Sequence, residues 1–460
     1  MARMPAFFAH QALLPDGWAR DVRIETDGAG WIIAVAPNGP RHDAEPLRGP
    51  ALPGMPNVHS HAFQRAMAGL AERAGETTAG ADSFWTWRER MYAFLDRLTP
   101  DHAHAVARQL YVELLKHGYT AVAEFHYVHR RPDGSTYAPA TAMAQSHLAA
   151  ARDAGIAITL LPAVYCYAGF GDQPLGGPQR RFAATADEVA AMIAALKRHE
   201  GPDARIGVAP HSLRAVNETV LRRLMTALPP DVPIHIHVAE QLREVDDCIA
   251  WSGQRPVEWL LARFPVDARW CIVHATHLTH GETAALARTG ATVGLCPTTE
   301  ANLGDGLFPL GRYLAAGGRI GIGSDSNVCR NPAEELRWLE YGQRLTGRRR
   351  AVAATQPDES VGGRLWRDAL AGGAQILDRR SGMIAPGTRA DLVVLDAANP
   401  SLEGLTGDDL LDALTFATDA TPVRDVMVGG RWVVRDGRHA REEEIAAGWS
   451  AARADLLAAR

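Results

Sequence analysis

No stretch of the 460-residue sequence is long and apolar enough for a transmembrane helix, and no apolar segment follows a basic patch near the N-terminus. Cysteine is scarce: the five cysteines are odd in number and widely scattered, which is typical of a reducing compartment rather than of a disulfide framework. Positive charge is not in excess, and the net charge of −5 argues against nucleic acid or a membrane as a partner. We therefore expect a soluble cytoplasmic protein.

The chain changes character twice along its length. Short β-like pieces separated by Asp, Gly and Pro occur at both ends, whereas the middle alternates apolar runs with helix-like segments. We therefore predict the first part of a β-sandwich over 1–50, a barrel over 51–380, and the second part of the sandwich over 381–460 with a C-terminal helix. An apolar content of 47% is ordinary for a globular enzyme with a sizeable core.

The middle of the chain contains eight apolar strand candidates with room for a helix between them. These candidates are 51–61, 120–127, 156–165, 205–212, 233–240, 270–276, 291–299 and 319–326. Eight β-then-α units predict an α/β fold of the (β/α)8 TIM-barrel type, whose usual size of about 250 residues grows with insertions. A doubly wound open sheet is the alternative, but no glycine-rich dinucleotide loop follows any strand.

Polar side chains recur at the carboxyl ends of these strands, where such barrels carry their chemistry. They are His59, His61, Glu124, His126, Tyr127, His211, Ser212, His237, Glu240, His274, His277, Thr298, Thr299, Asp325 and Ser326. A single histidine at such a place is more often a hydrogen-bonded, half-buried side chain than a ligand. Histidines at the ends of five strands that converge on one barrel mouth indicate a functional site.

Three of these histidines and one aspartate form a candidate metal site. His59 and His61 are two residues apart, so their rings point to the same side of an extended strand. With His237 and Asp325 they supply three imidazoles and a carboxylate, which zinc accepts while it keeps a position for water. Zinc-bound water ionises near neutral pH, so the set is typical of a hydrolase. His235 shares the strand face of His237 but lies deeper, so we interpret it as packing or as a partner of a ligand.

Two further residues are candidates for proton transfer and charge stabilisation. Glu240 lies three residues beyond His237, where it is placed to move protons between a metal-bound water and a leaving nitrogen. His274 is placed to polarise the substrate or to stabilise a tetrahedral intermediate.

Two arginines are predicted to select the substrate. Arg88 and Arg214 lie in segments that should overhang the barrel mouth, and planar guanidinium groups suit bidentate capture of carboxylates. Two of them predict a small acidic substrate, with two carboxylates. A neutral nucleobase would instead require amide and aromatic contacts.

The motifs HSH (59–61), HVAE (237–240), His274 and GSDS (323–326) resemble, in this order, those of the amidohydrolase superfamily. The resemblance covers essentially the whole chain, and it implies hydrolysis at a C–N or C=N carbon with a metal-activated water. It further implies that His59, His61, His237 and Asp325 bind the metal and that Glu240 and His274 act as proton shuttle and electrophilic assistant. Asp325 would also take the proton of the water.

The number of metal ions follows from a scarcity of lysine. Members of the superfamily with two ions bridge them with a modified lysine or a glutamate. This chain has only Lys116 and Lys197, and both lie in helix-like segments. Glu124 stays open as a substitute. We expect one divalent metal ion, Zn²⁺.

Longer stretches, such as LPGMPNVHSHAFQRAMAGLAE (52–72) and GYTAVAEFHYVH (118–129), are similar to one branch of the superfamily, the N-formimino-L-glutamate iminohydrolases. This resemblance implies deimination of N-formimino-L-glutamate to N-formyl-L-glutamate and ammonia in histidine degradation. The residues implied to contact the substrate are Gln64, Arg88, Tyr127, His211 and Arg214. It also makes a homodimer the expected assembly. The alternatives are a nucleobase or nucleoside deaminase of the same superfamily and a barrel that binds without catalysis, which is less favoured because every metal ligand is present.

Overall fold

A computed structural model describes residues 4–72 and 84–458, which include every predicted site residue. The strands are β1 (Ala6–Leu14), β2 (Gly17–Thr26), β3 (Ile32–Ala36), β4 (Glu45–Pro46), β5 (Ala51–Pro53), β6 (Met55–Ser60), β7 (Tyr119–His126), β8 (Ala157–Val164), β9 (Ala204–Ile206), β10 (Ala209–Pro210), β11 (Ile234–Val238), β12 (Trp270–His274), β13 (Thr292–Leu295), β14 (Arg319–Ile322), β15 (Leu392–Leu395), β16 (Val423–Val428), β17 (Arg431–Arg435) and β18 (Arg438–His439).

The α-helices are α1 (Phe84–Leu95), α2 (Pro100–Lys116), α3 (Ala142–Ala154), α4 (Ala186–Leu196), α5 (Glu218–Ala227), α6 (Leu242–Ser252), α7 (Pro256–Arg263), α8 (His280–Ala287), α9 (Pro297–Leu303), α10 (Leu310–Ala315), α11 (Pro332–Gly347), α12 (Val361–Ile376), α13 (Asp408–Phe416) and α14 (Glu442–Leu457). Short 3-10 helices occupy Ala62–Met67, Gly177–Arg181 and Lys197–His199.

The parallel strands close into a barrel. Strands β6, β7, β8 and the pair β9/β10 form one half, and β11 to β14 form the other. Parallel bridges join the halves on both sides, between Val208 and Ile234 and between Ser60 and Asp325. The residues of β7 and β8 are buried throughout, as expected for parallel strands covered on both faces. The predicted (β/α)8 barrel is confirmed.

A second sheet is built from both ends of the chain. It runs in the order β18-β17-β16-β15-β5-β1-β2-β3, with β4 beside β1, and it has an apolar cluster of its own. The run 51–61, predicted as one strand, is divided: β5 pairs with β1 and β15 in this sheet, and β6 belongs to the barrel. Gly54 separates them, where a Cβ atom would lie 2.2 Å from Oγ1 of Thr120. This close approach lets the chain pass directly from one sheet into the other.

The seventh barrel strand is shorter than its predicted range of 291–299. It ends at Leu295, and α9 begins at Pro297. Proline suits the first turn of a helix because its missing N–H would have no partner there. Thr298 and Thr299 therefore lie on a helix at the barrel mouth rather than on the strand.

All five cysteines are free. Among residues 4–72 and 84–458, no helix combines the length and the apolar character that crossing a bilayer requires.

Candidate metal centre and active-site cleft

Three imidazoles meet at the carboxyl end of the barrel. His59 lies in β6, His61 follows that strand, and His237 lies in β11. The Nε2 atoms of His59 and His237 are 3.0 Å apart, and all three rings are buried. Nδ1 of His61 lies 2.8 Å from the carbonyl oxygen of Phe125, and Nδ1 of His237 lies 2.9 Å from that of His211. A ring that donates from Nδ1 keeps the lone pair of Nε2 for a cation, so these bonds orient two of the rings as ligands.

Asp325 brings a carboxylate to the same point from the loop after β14. Its Oδ1 atom is 3.6 Å from Nε2 of His59 and 3.5 Å from Nε2 of His61. Backbone hydrogen bonds across the barrel seam hold it there: the N–H of Asp325 donates to the carbonyl of His59 at 2.9 Å, and the N–H of His61 donates to the carbonyl of Asp325 at 3.0 Å. Asn327 donates from its side chain to the carbonyls of Asp325 and His61. The tertiary fold therefore joins the first and last strands at the site.

The protonation of these groups suits a divalent cation. Burial lowers the pKa of His61 to about 3 and holds the pKa of His59 and of His237 well below the usual value. The three rings are therefore neutral at pH 7 and can act as ligands. Neutral imidazole nitrogens and a carboxylate oxygen are a donor set that zinc takes in catalytic sites, so the residues fit a zinc-type ion.

Glu240 and His274 lie beside the ligand group. Nε2 of His274 is 3.7 Å from Oε1 of Glu240 and 3.8 Å from Oδ2 of Asp325. Burial disfavours a charged imidazole, but the neighbouring carboxylates, led by Glu240, outweigh burial and raise the pKa of His274 to about 10. An imidazolium in this position can donate a hydrogen bond to charge that develops on a reacting atom.

Glu300 orients His274 and was missed among the site residues predicted from sequence. It lies on α9, and its Oε1 atom is 3.2 Å from Nδ1 of His274. The same oxygen accepts a hydrogen bond from the N–H of Cys296 at 2.9 Å. The signal available in the sequence was an acidic residue directly after the segment 291–299 that was predicted as the seventh strand.

One cleft opens onto the ligand group and carries the predicted substrate contacts. Its walls include all five of them, namely Gln64, Arg88, Tyr127, His211 and Arg214. The amide of Gln64 donates to the hydroxyl of Tyr127 at 3.1 Å, and the guanidinium of Arg88 lies 5.6 Å from the ring centre of Tyr92. The side chain of Arg214 is 10% exposed, with Nη2 3.9 Å from Oε2 of Glu240. The cleft therefore has metal-type ligands at one end and two guanidinium groups in its walls.

The residues considered as bridges to a second ion are engaged elsewhere. One oxygen of Glu124 accepts from the N–H of Ala62 at 2.7 Å, and the other accepts from the hydroxyl of Tyr111 at 3.2 Å. Lys116 ends α2 and pairs with Glu442 at 2.5 Å, and Lys197 is exposed. Glu124 is therefore not part of the metal-type residue groups found among the described residues.

Other polar strand ends take structural positions. His126 packs against the rings of His129 and His147. Thr298 donates through its backbone N–H to Glu335 at 2.9 Å. His235 is fully buried, and its Nε2 lies 3.3 Å from the carbonyl of Ile376. Its role, packing or support of a ligand, stays a prediction.

Comparison of the sequence with known proteins identifies the family of this barrel and its ligand group. The model of the amidohydrolase family matches residues 51–433, and the chain belongs to that family. The model of the formimidoylglutamate deiminase HutF N-terminal domain matches residues 4–43. The chain is 52% identical over 455 residues to the formimidoylglutamate deiminase of Pseudomonas aeruginosa, covering 99% of this chain and 100% of that protein. The superfamily resemblance predicted from the motifs is confirmed.

Other relatives and solved structures are also similar over most of the chain. A 5-methylthioadenosine/S-adenosylhomocysteine deaminase of Natronomonas pharaonis is 29% identical, covering 93% of this chain and 91% of that protein. Among solved structures, an amidohydrolase from Brucella melitensis superposes with a TM-score of 0.92 at 47% identity, covering 98% of this chain and 100% of that one. An adenosine deaminase from Xanthomonas campestris with bound zinc superposes with a TM-score of 0.81 at 22% identity, covering 98% of each chain, and shows the common fold.

Proposed function

We propose that the protein hydrolyses N-formimino-L-glutamate to N-formyl-L-glutamate and ammonia, as a step of histidine degradation in the cytoplasm. The observation that carries this proposal is the cleft, which combines ligands for a divalent ion with two guanidinium groups for a substrate that bears two carboxylates. The full-length identity of 52% with a formimidoylglutamate deiminase supports the same substrate.

His59, His61, His237 and Asp325 would hold one divalent ion, and the donor set favours zinc. Such an ion, when bound, polarises the reacting group and lowers the pKa of water to about 7. The position of both Glu124 oxygens, in hydrogen bonds to Ala62 and Tyr111, supports one ion rather than two.

Side chains of the protein move the protons. Asp325 is placed to accept the proton of the attacking water, because its carboxylate lies among the ligand nitrogens. Glu240 carries a proton to the terminal nitrogen of the formimino group, which leaves as ammonia. His274, held between Glu240 and Asp325, donates a hydrogen bond where charge develops during attack. Water thus supplies the oxygen of the formyl group, and its protons complete the leaving ammonia.

The charges of the cleft complement those of this substrate. A formimino group is a basic amidine, and its protonated form would face the carboxylates of Glu240 and Asp325. The two substrate carboxylates would face Arg88 and Arg214, whose planar groups can each bind two oxygens. A neutral nucleobase would offer neither guanidinium group a carboxylate to bind.

Ammonia release from a panel of substrates tests the proposal. The purified metal-loaded protein is assayed with N-formimino-L-glutamate, guanine, cytosine and adenosine at equal concentrations. We expect turnover of N-formimino-L-glutamate alone, with formation of N-formyl-L-glutamate in equal amount. Ammonia from a nucleobase or nucleoside, and none from N-formimino-L-glutamate, would establish the deaminase alternative instead.

Two further parts of the proposal have measurements of their own. Elemental analysis of the purified protein is expected to give about one zinc per chain, because the two metal-type residue groups found among the described residues share His59. The homodimer stays a prediction, and light scattering at assay concentrations would give twice the mass of one chain.

A further inference from the structure

Glu244 connects two parts of the active site and has no assigned role. It lies in the first turn of α6, directly after the loop that carries Glu240, and its side chain is fully buried. One carboxylate oxygen accepts from the N–H of Ala239 at 3.1 Å, and the other accepts from the N–H of Glu240 at 3.1 Å. The carboxylate therefore fixes the backbone from which Glu240 projects.

The backbone that Glu244 holds is a strained one. Ala239 has a φ of 55°, in the left-handed region that residues other than glycine, asparagine and aspartate rarely enter. Such a conformation persists only when surrounding interactions hold it. The two hydrogen bonds that the carboxylate of Glu244 accepts are two of these interactions. The turn that they hold places Oε1 of Glu240 3.7 Å from Nε2 of His274.

Glu244 also acts on the arginine of the substrate cleft. Burial of Arg214 works against its charge, but Glu244 and then Glu240 more than offset burial, so the pKa of Arg214 lies above its usual value. Burial raises the pKa of Glu244 above its usual value, and Arg214 opposes that rise. A buried arginine without this countercharge would carry a large desolvation cost.

We propose that Glu244 is a positioning residue that couples the proton shuttle to the substrate arginine: its carboxylate fixes the backbone of Glu240, whose side chain in turn lies 3.9 Å from Arg214. This inference rests on the proposed function, in which Glu240 transfers a proton and Arg214 binds a carboxylate. We therefore expect the length of the side chain at position 244 to affect kcat, and its charge to affect KM.

Two substitutions separate these contributions. Glu244→Gln keeps the size of the side chain but removes the charge. Its single amide oxygen can accept a hydrogen bond from only one of the two N–H groups. We expect kcat to fall about 10- to 100-fold and KM to rise about tenfold. Glu244→Asp keeps the charge but is too short to reach both N–H groups. We therefore expect a lower kcat with a KM close to that of the wild type.

Glu340 provides a matched control. It is fully buried on α11, and its carboxylate accepts from two successive N–H groups, those of Val352 and Ala353, at 2.8 and 3.0 Å. It also pairs with an arginine, Arg344, at 2.8 Å, but it is not part of the cleft walls. Glu340→Gln should therefore lower thermal stability to a similar degree as Glu244→Gln while it leaves kcat and KM within about twofold.

A double-mutant cycle tests whether Glu244 acts through Glu240. In a Glu240→Gln background, the additional Glu244→Gln change should lower kcat by less than about threefold, because the shuttle is already lost. Full additivity in this cycle, or kinetics of Glu244→Gln equal to those of Glu340→Gln, would overturn the inference. If the Glu244→Gln variant does not fold, the kcat of Glu244→Asp still tests whether Glu244 positions Glu240. All ratios are measured on whichever substrate the wild type turns over, so a failure of the proposed substrate is seen separately in the wild-type assay.

Discussion

Nε2 of His59 and Nε2 of His237 lie 3.0 Å apart, although 178 residues separate them in the chain. Both rings are buried, and both have pKa values well below the usual value. Because zinc–nitrogen bonds are about 2.0–2.1 Å, a single ion can contact both atoms. The geometry thus brings two strand-end histidines together as half of the candidate metal site.

His237 and His235 offer a test of the metal site on one strand. Both are buried in β11, but His237 faces the ligand group whereas His235 lies near the carbonyl of Ile376. We expect His237→Gln to lower bound zinc to below about a tenth of that in the wild type, since a ligand is lost. His235→Gln should keep about one zinc per chain. Elemental analysis after gel filtration measures both, and equal zinc contents would remove His237 from the ligand set.

Glu240→Gln tests the proton shuttle. The substitution keeps the size of the side chain but removes the group that gains and loses a proton. We expect kcat to fall by about 10²- to 10⁴-fold while the metal content stays unchanged. Steady-state ammonia release together with elemental analysis gives both quantities. A kcat near that of the wild type would show that another group transfers the proton.

Arg214→Met and Arg88→Met test the substrate contacts. Each removes a guanidinium group from the cleft wall, and we expect KM for N-formimino-L-glutamate to rise about 10- to 100-fold with a smaller change in kcat. Arg130→Met is the control, because Arg130 pairs with Glu188 at 2.6 Å outside the cleft walls. Its KM should stay within about twofold of the wild-type value. An unchanged KM in Arg214→Met would exclude that residue from substrate binding.

The raised pKa of Glu124 predicts that the stability of the fold depends on pH. Burial raises the pKa of Glu124 from 4.5 to about 8. Between these two pH values the folded protein keeps a proton on Glu124 that the unfolded chain has released. The contribution of Glu124 to the free energy of unfolding is therefore fully present below about pH 4.5 and is lost as the pH rises toward 8. Glu124→Gln mimics the protonated form. Its oxygen can accept from Ala62, and its amide group can donate to Tyr111.

The thermal midpoint of the wild type should therefore fall more steeply than that of Glu124→Gln between about pH 5 and about pH 8. The variant should also keep the zinc content of the wild type, since Glu124 is not in the ligand group. Calorimetry across this range checks the first expectation. Parallel curves, or a loss of zinc, would contradict the position found for this side chain.

The alternation of apolar runs with helix-like segments was sufficient to predict the barrel, because parallel strands buried on both faces read as continuous apolar segments. The pattern failed at strand borders for a local reason. Residues 291–299 are apolar or small throughout, so only Pro297 marked the change from strand to helix. Residues 51–56 likewise include no polar side chain, and the division of the run 51–61 at Gly54 depends on the packing of Thr120 against that glycine.

The sequence by itself determined the ligand types, since the chemistry of His59, His61, His237 and Asp325 follows from residue identity and from their places at strand ends. The tertiary structure alone decided which other groups meet them. Glu300 reaches His274, and Glu244 reaches the N–H groups of Ala239 and Glu240, through side-chain directions that no periodic pattern encodes. The physical reason is that periodicity reports which face of an element is buried, whereas hydrogen bonds between buried polar groups depend on atomic positions set by the packing of several elements.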